Sequence, residues 1–75
     1  MTNFVSYNHT QSVAATVWTI VHDLNTSLIS IDTNIVYNGN STVIIPSDVV
    51  IIDNNTVAVH FSMAYTGKAR IVGSI

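Results

Sequence analysis

The sequence predicts an all-β domain, a small antiparallel β-sandwich or partly open barrel of about six or seven short strands. Three observations predict it. Val, Ile and Thr supply 30 of the 75 residues against 2 Leu and no Glu, a β-branched stock suited to half-buried pleated strands. Apolar and polar residues alternate over several short runs. Turn-forming groups such as Asn38-Gly39 and Asp53-Asn54-Asn55 punctuate those runs. The length allows one small domain, residues 1–75, with little core per unit of surface.

Along the chain, residues 4–9 alternate loosely and form a first strand ending near Asn8, and the small, polar stretch 10–15 crosses to another edge. Residues 16–22 make the clearest strand: Trp18, Ile20 and His22, followed by Leu24, share one face, while Val17, Thr19 and Val21 take the other. Residues 23–27 form a turn, 28–32 a strand with Ile29 and Ile31 inward, and 35–37 its continuation past an irregularity at Thr33-Asn34. Asn38-Gly39 sets a tight hairpin, 42–45 pairs back, Pro46 stops that ladder, and 49–53 resumes. After the turn at Asn54-Asn55, residues 56–62 place Val57, Val59 and Phe61 on one face and Ala58 and His60 on the other. Residues 63–66 make an excursion, Gly67 permits a special backbone angle, and 68–72 is the last strand. The expected core is Trp18, Ile20, His22, Leu24, Val57, Val59 and Phe61.

Composition excludes several classes. Charged residues are 8% of the chain, far below the roughly 25% of an ordinary soluble domain, and 8 Asn, 9 Thr and 8 Ser supply the polar surface instead. Lys68 and Arg70 are the only permanent cations and the net charge is −2, too little to neutralise a row of phosphates, so nucleic acid is not an expected partner. No stretch approaches the roughly 18 apolar residues of a spanning helix, because Pro46, Ser47 and Asp48 interrupt the most apolar segment. No membrane partner is expected. Met1-Thr2-Asn3-Phe4 lacks the basic start and apolar core of a secretory signal, and Met1 speaks against a removed one. With no Cys there are no disulfide staples and no thiolate metal ligands.

The runs Val43-Ile44-Ile45 and Val49-Val50-Ile51-Ile52 do not alternate, so both faces of each strand need cover. A domain this small buries only about 60 to 70% of its extended surface by itself. Those seven residues are therefore the expected interface of a homo-oligomer or of a domain docked on a larger assembly, with loops folding back over the second face as the alternative.

Candidate catalytic groups are sparse. His9, His22 and His60 lack metal-ligand spacing, and Asp23, Asp32, Asp48 and Asp53 all sit at turns or strand ends, where Asx hydrogen bonds account for them. Ser, His and Asp co-occur, but without an elbow such as Gly-x-Ser-x-Gly. Asp48 and Asp53 bracket a strand instead of flanking a substrate. Neither an enzyme nor a cofactor or metal site is expected. The four sequons at Asn8, Asn25, Asn40 and Asn54 read as turn residues, since chance supplies about two in so Asn-, Ser- and Thr-rich a chain. Tyr7, Tyr37 and Tyr65 could stack on a pyranose, the alternative being core or interface tyrosines with bonded hydroxyls.

Two blocks carry a resemblance. His9-Thr10-Gln11 followed by Ala15-Thr16-Val17-Trp18-Thr19-Ile20-Val21-His22-Asp23-Leu24, and the stretch 53–69 with its Phe61-Ser62-Met63-Ala64-Tyr65-Thr66-Gly67-Lys68-Ala69 tail, together span most of the chain. They resemble a small β module of tailed-bacteriophage virion proteins, notably tail fibres, with the pattern H-x-Q…A-x-x-W-x-I-x-H-x-L and F-S-x-A-[FY]-x-G-x-A. Residues 25–29 lack the proline that this module often carries there. The resemblance implies a non-enzymatic structural role in the virion. The expectation is a separate small protein that decorates or cements the capsid or a tail appendage through apolar faces, as a homo-oligomer, a trimer by preference, among other virion proteins. The competing expectation is a host-receptor or glycan-binding module of a tail fibre, marked by an exposed, aromatic-lined concave pocket. A buried His22 needs partners for its ring nitrogens, and His9 and Gln11 are the expected members of that network.

Overall fold

The computed structural model describes residues 3–74. Met1, on which the reading of the N-terminus rests, lies outside them. The chain is all-β: β1 (Phe4–Val21), β2 (Ile29–Tyr37), β3 (Asn40–Val43), β4 (Asp48–Asp53) and β5 (Thr56–Ser74) form one antiparallel sheet that does not close. The order is β1-β5-β2-β3, with β4 also on β5. β5 has β1 along one side; on the other it pairs first with β4, at residues 56–60, and later with β2, at residues 66–73.

Five strands replace the expected six or seven because two pairs of expected strands are continuous. Residues 4–9 and 16–22 fall on the two halves of β1, and residues 56–62 and 68–72 on the two halves of β5. The expected crossing at 10–15 and excursion at 63–66 are places where the register slips. From Gln11↔Gly67 to Ala15↔Tyr65, β1 advances four residues while β5 advances two; from there to Val17↔His60, β1 advances two and β5 five. Extra residues on one strand and then the other are bulges, which bend a strand pair without ending it. Small residues such as Ser12, Ala14, Ser62 and Ala64 read as loop because they lack strand propensity, and cross-strand pairing on both sides overrides that weak signal.

The bend is large. His9 and Trp18 would be about 30 Å apart along a straight strand, yet their ring centroids are 6.0 Å apart. β5 would run about 60 Å if straight, whereas the longest dimension of the molecule is 42 Å. Thr26 shows how near the two ends of β5 come: its amide donates to the carbonyl of Asn54 at 2.8 Å and its hydroxyl to that of Ser74 at 3.0 Å. The sheet thus folds over into two layers, one of residues 4–11, 66–74, β2 and β3, the other of residues 17–21, 56–60 and β4.

The core lies between them. Trp18, Ile20, Val57, Val59 and Phe61 meet Ile35, Ala69 and Ile71, and Leu24 packs partly buried against the cluster. Trp18 is fully buried (0% exposed), with its ring 4.6 Å from that of Phe61. Its indole Nε1–H donates to the carbonyls of Ala15 and Tyr65, each at 3.2 Å. Those two residues are the register partners at the slip. The same side chain fills the core and satisfies the backbone where the ladder breaks.

The Asn38-Gly39 hairpin forms as expected, with Tyr37 opposite Asn40 and both turn residues at positive φ (51° and 77°), a type I′ turn. β2 passes Thr33-Asn34 without interruption, because Thr33 is buried and its hydroxyl donates to the carbonyl of Ile44 at 2.7 Å. At Asn54-Asn55 the Asp53 carboxylate accepts from the Asn55 amide (2.8 Å), and carbonyls of this turn accept from His22, Asp23 and Thr26, holding the 22–28 connection. Among the described residues no helix is long and apolar enough to cross a membrane.

Candidate functional site

The outward face of the second layer is built from alternate residues of three strands. Register places Val17, His60 and Asp48 in one row, Thr19, Ala58 and Val50 in the next, and Val21 opposite Thr56 beyond. Ala58 is buried at the centre of this face, while Val17, Val21 and Val50 stay exposed around it. Ile52, at the irregularity near the end of β4, is exposed as well.

The seven expected interface residues divide. Val43, Ile45, Val50, Ile51 and Ile52 are exposed, Ile45 almost wholly (93%), whereas Ile44 and Val49 are partly buried against the core. Ile51 lies in the inward row opposite Val57, yet is half-exposed because β4 is an edge strand.

The edges differ in protection. β3 is four residues long and Pro46 follows shortly after it; β4 is six residues long with Asp48 and Asp53 at its ends. Short length, proline and charge are the usual guards of a free edge. β1 pairs only with β5 among the described residues, runs for 18 residues, and contains no Asp, Glu, Lys, Arg or Pro. Its one guard is the bulge in its middle.

The outward face of the first layer is polar. Register sets Asn8, Arg70 and Asp32 in one row and Thr10, Lys68 and Asn34 in the adjacent one. They line a shallow trough of about 400 Å³, in which the Arg70 Nε–H donates to Asn8 Oδ1 at 3.5 Å. Both permanent cations of the chain stand in it. Composition marked them as scarce, but only the register reveals which residues flank them.

The three histidines do not converge. His9 Nε2 and Gln11 Oε1 are 2.7 Å apart, a bond between the two residues expected to partner His22. His22 takes no part in it. Its Nδ1 accepts from the Leu24 amide at 3.1 Å, so Nε2 carries the proton, and this buried atom has no partner among the described residues. The reason is position: His22 lies just past the far end of β1, where its own amide donates to the Asn55 carbonyl. Ser47, Asp48 and His60 do meet, but Ser47 Oγ donates to the main-chain carbonyl of His60 (2.9 Å) and not to the ring. No group of three His, Cys, Asp or Glu among the described residues is placed to hold a metal ion.

The tyrosines form no single platform. Tyr65 packs edge-on to Phe61 (5.7 Å) and to Tyr37 (6.5 Å), while Tyr7 lies on β1, and none of the three lines the polar trough. Comparison of the chain with protein-family models, curated proteins and solved structures found no match.

Proposed function

We propose that this protein is a non-enzymatic structural module of a tailed-bacteriophage virion that joins copies of itself, as a trimer, and decorates or cements the capsid or a tail appendage. The long, uncharged edge of β1, guarded only by its mid-strand bulge, together with the exposed Val17, Val21 and Val50 on the adjoining face, is the observation that carries the assembly role. The virion setting rests on the sequence resemblance.

A second copy is the occupant that fits. A charged partner would find no ion pair along β1, whereas an uncharged edge accepts another strand without burying an unpaired charge. Each exposed β-branched side chain covered there contributes about 1.5 to 3 kcal/mol at full burial. A stable interface takes about 800 Å² from each partner, about a sixth of the 4767 Å² surface. A closed ring of three needs unlike surfaces in contact, so β1 of one copy would meet a different edge of the next, and β3, which carries no charge, is the edge that fits.

Light scattering behind a sizing column tests this. The expected result is a trimer at micromolar concentration, and a folded monomer for Val21→Lys, which puts a charge at the end of the edge. A wild-type monomer across the concentration range, or a Val21→Lys variant that still assembles, overturns it.

A further inference from the structure

Beyond the assembly role, and independently of it, we infer that the polar trough on the first layer is a binding site for an acidic saccharide, a sugar bearing a carboxylate. Lys68 and Arg70 are the only permanent cations in 75 residues. They occupy alternate positions of the central strand, on one face and about 7 Å apart along it. Placed side by side they repel each other, and Asp32, in the row of Arg70, is the one carboxylate lining the trough with them. An anionic group set between them relieves that repulsion and accepts charge-assisted hydrogen bonds, Arg70 offering a planar fork and Lys68 a point charge.

The flanking residues narrow the anion. Asn8 and Thr10 line one side of the cations and Asp32 and Asn34 the other, all exposed. Asp32 accepts hydrogen bonds but donates none when ionised, so it repels any anion and compensates only a ligand whose hydroxyls can donate to it. The trough therefore suits a ligand carrying both one anionic group and neighbouring hydroxyl donors. A uronic or sialic acid has both. The amides of Asn8 and Asn34 can donate to ring and hydroxyl oxygens and accept from hydroxyls. The volume of about 400 Å³ falls within the roughly 300 to 1,000 Å³ span of small-molecule sites. Two cations are too few to hold a nucleic-acid backbone.

The test is an NMR titration of the labelled protein with glucuronate, set against glucose, acetate and inorganic phosphate. The expected result is saturable shifts at the amides of Asn8, Asp32, Lys68 and Arg70, with a Kd of about 1 to 10 mM for glucuronate. Glucose, acetate and phosphate should each bind at least tenfold more weakly. Lys68→Gln and Arg70→Gln should each abolish saturation, with the amide spectrum elsewhere unchanged as proof of folding. Asp32→Asn should weaken glucuronate and strengthen phosphate. Failure of glucuronate to saturate overturns the inference, and so does glucose binding equally well. Equal binding of acetate or phosphate would reduce the trough to a general anion site and likewise overturn it. The oligomer mass is unaffected by any of these outcomes, so this inference and the assembly role fail separately.

Discussion

Trp18→Phe isolates the stitch at the bend from the packing of the core. Phenylalanine keeps an aromatic ring against Phe61 but loses the indole Nε1–H, leaving the carbonyls of Ala15 and Tyr65 without the donor they share. A buried acceptor left unpaired costs about 1 to 3 kcal/mol, and two acceptors sharing one donor fall in that range together. The void left by the smaller ring adds about 1 kcal/mol at ~24 cal/mol per Å³. The expected loss is about 2 to 4 kcal/mol, most of the stability of a domain at the low end of the ~5 to 15 kcal/mol range. With a slope of about 2 kcal/mol per molar in guanidinium, the midpoint falls by about 1 to 2 M. Trp18 is the sole tryptophan, so unfolding of the variant is followed by far-UV circular dichroism. Hydrogen exchange supplies the local readout, with the amides of residues 61–65 expected to open faster than those of 69–72. A loss below about 0.5 kcal/mol, or uniform acceleration of exchange across β5, would show that the bulges hold without the indole and that Trp18 acts by packing alone.

Two glycines should respond differently to alanine. Gly67, at φ 156°, has no room: an added Cβ would overlap the Asn34 carbonyl oxygen and lie 2.8 Å from Ile35 Cα. Gly67→Ala should cost more than about 3 kcal/mol and disrupt β2–β5 pairing in amide spectra, whereas Gly39→Ala, with open space around it, should cost only the ~1 to 2 kcal/mol of a left-handed conformation. Val50→Asp should stay folded, within about 1 kcal/mol of wild type by chemical denaturation, and lose assembly by light scattering. Val59→Asp, which buries an unpaired carboxylate at a fully buried site, should not fold. His22→Asn can keep an acceptor near the position of Nδ1, so its thermal midpoint should exceed that of His22→Leu, which strands the Leu24 amide at a cost of about 1 kcal/mol or more.

The alternation of Trp18 and Ile20, and of Val57, Val59 and Phe61, made the core legible, because the two-residue period is a local property of a strand. The Asn38-Gly39 turn was legible for the same reason: its backbone angles are local to two residues. The continuity of β1 and β5 was not. Whether Ser12 to Ala15 is a loop or a bulge depends on a partner about 50 positions away, and small residues accept either. His22 shows a related limit. Its face was readable, but its hydrogen-bond partner was set by where the strand ended, not by the face it shared with Trp18. The trough is the clearest case of information held in register alone. Lys68-Ala69-Arg70 announces two cations on one face, while the neighbours that give them a chemical purpose come from sequence positions near 8 and 32.

Phe4 stands opposite Ser74 in the β1–β5 ladder, so the chain enters and leaves the domain at one point. A domain entered and left at one point can be spliced into a surface turn of a host protein at little entropic cost, since the host's flanking residues need not be pulled apart. It can equally be cut open at another turn and rejoined through its old ends with a short connector. The geometry makes the fold a plug-in unit, whose orientation on any carrier is set by a single attachment point instead of two.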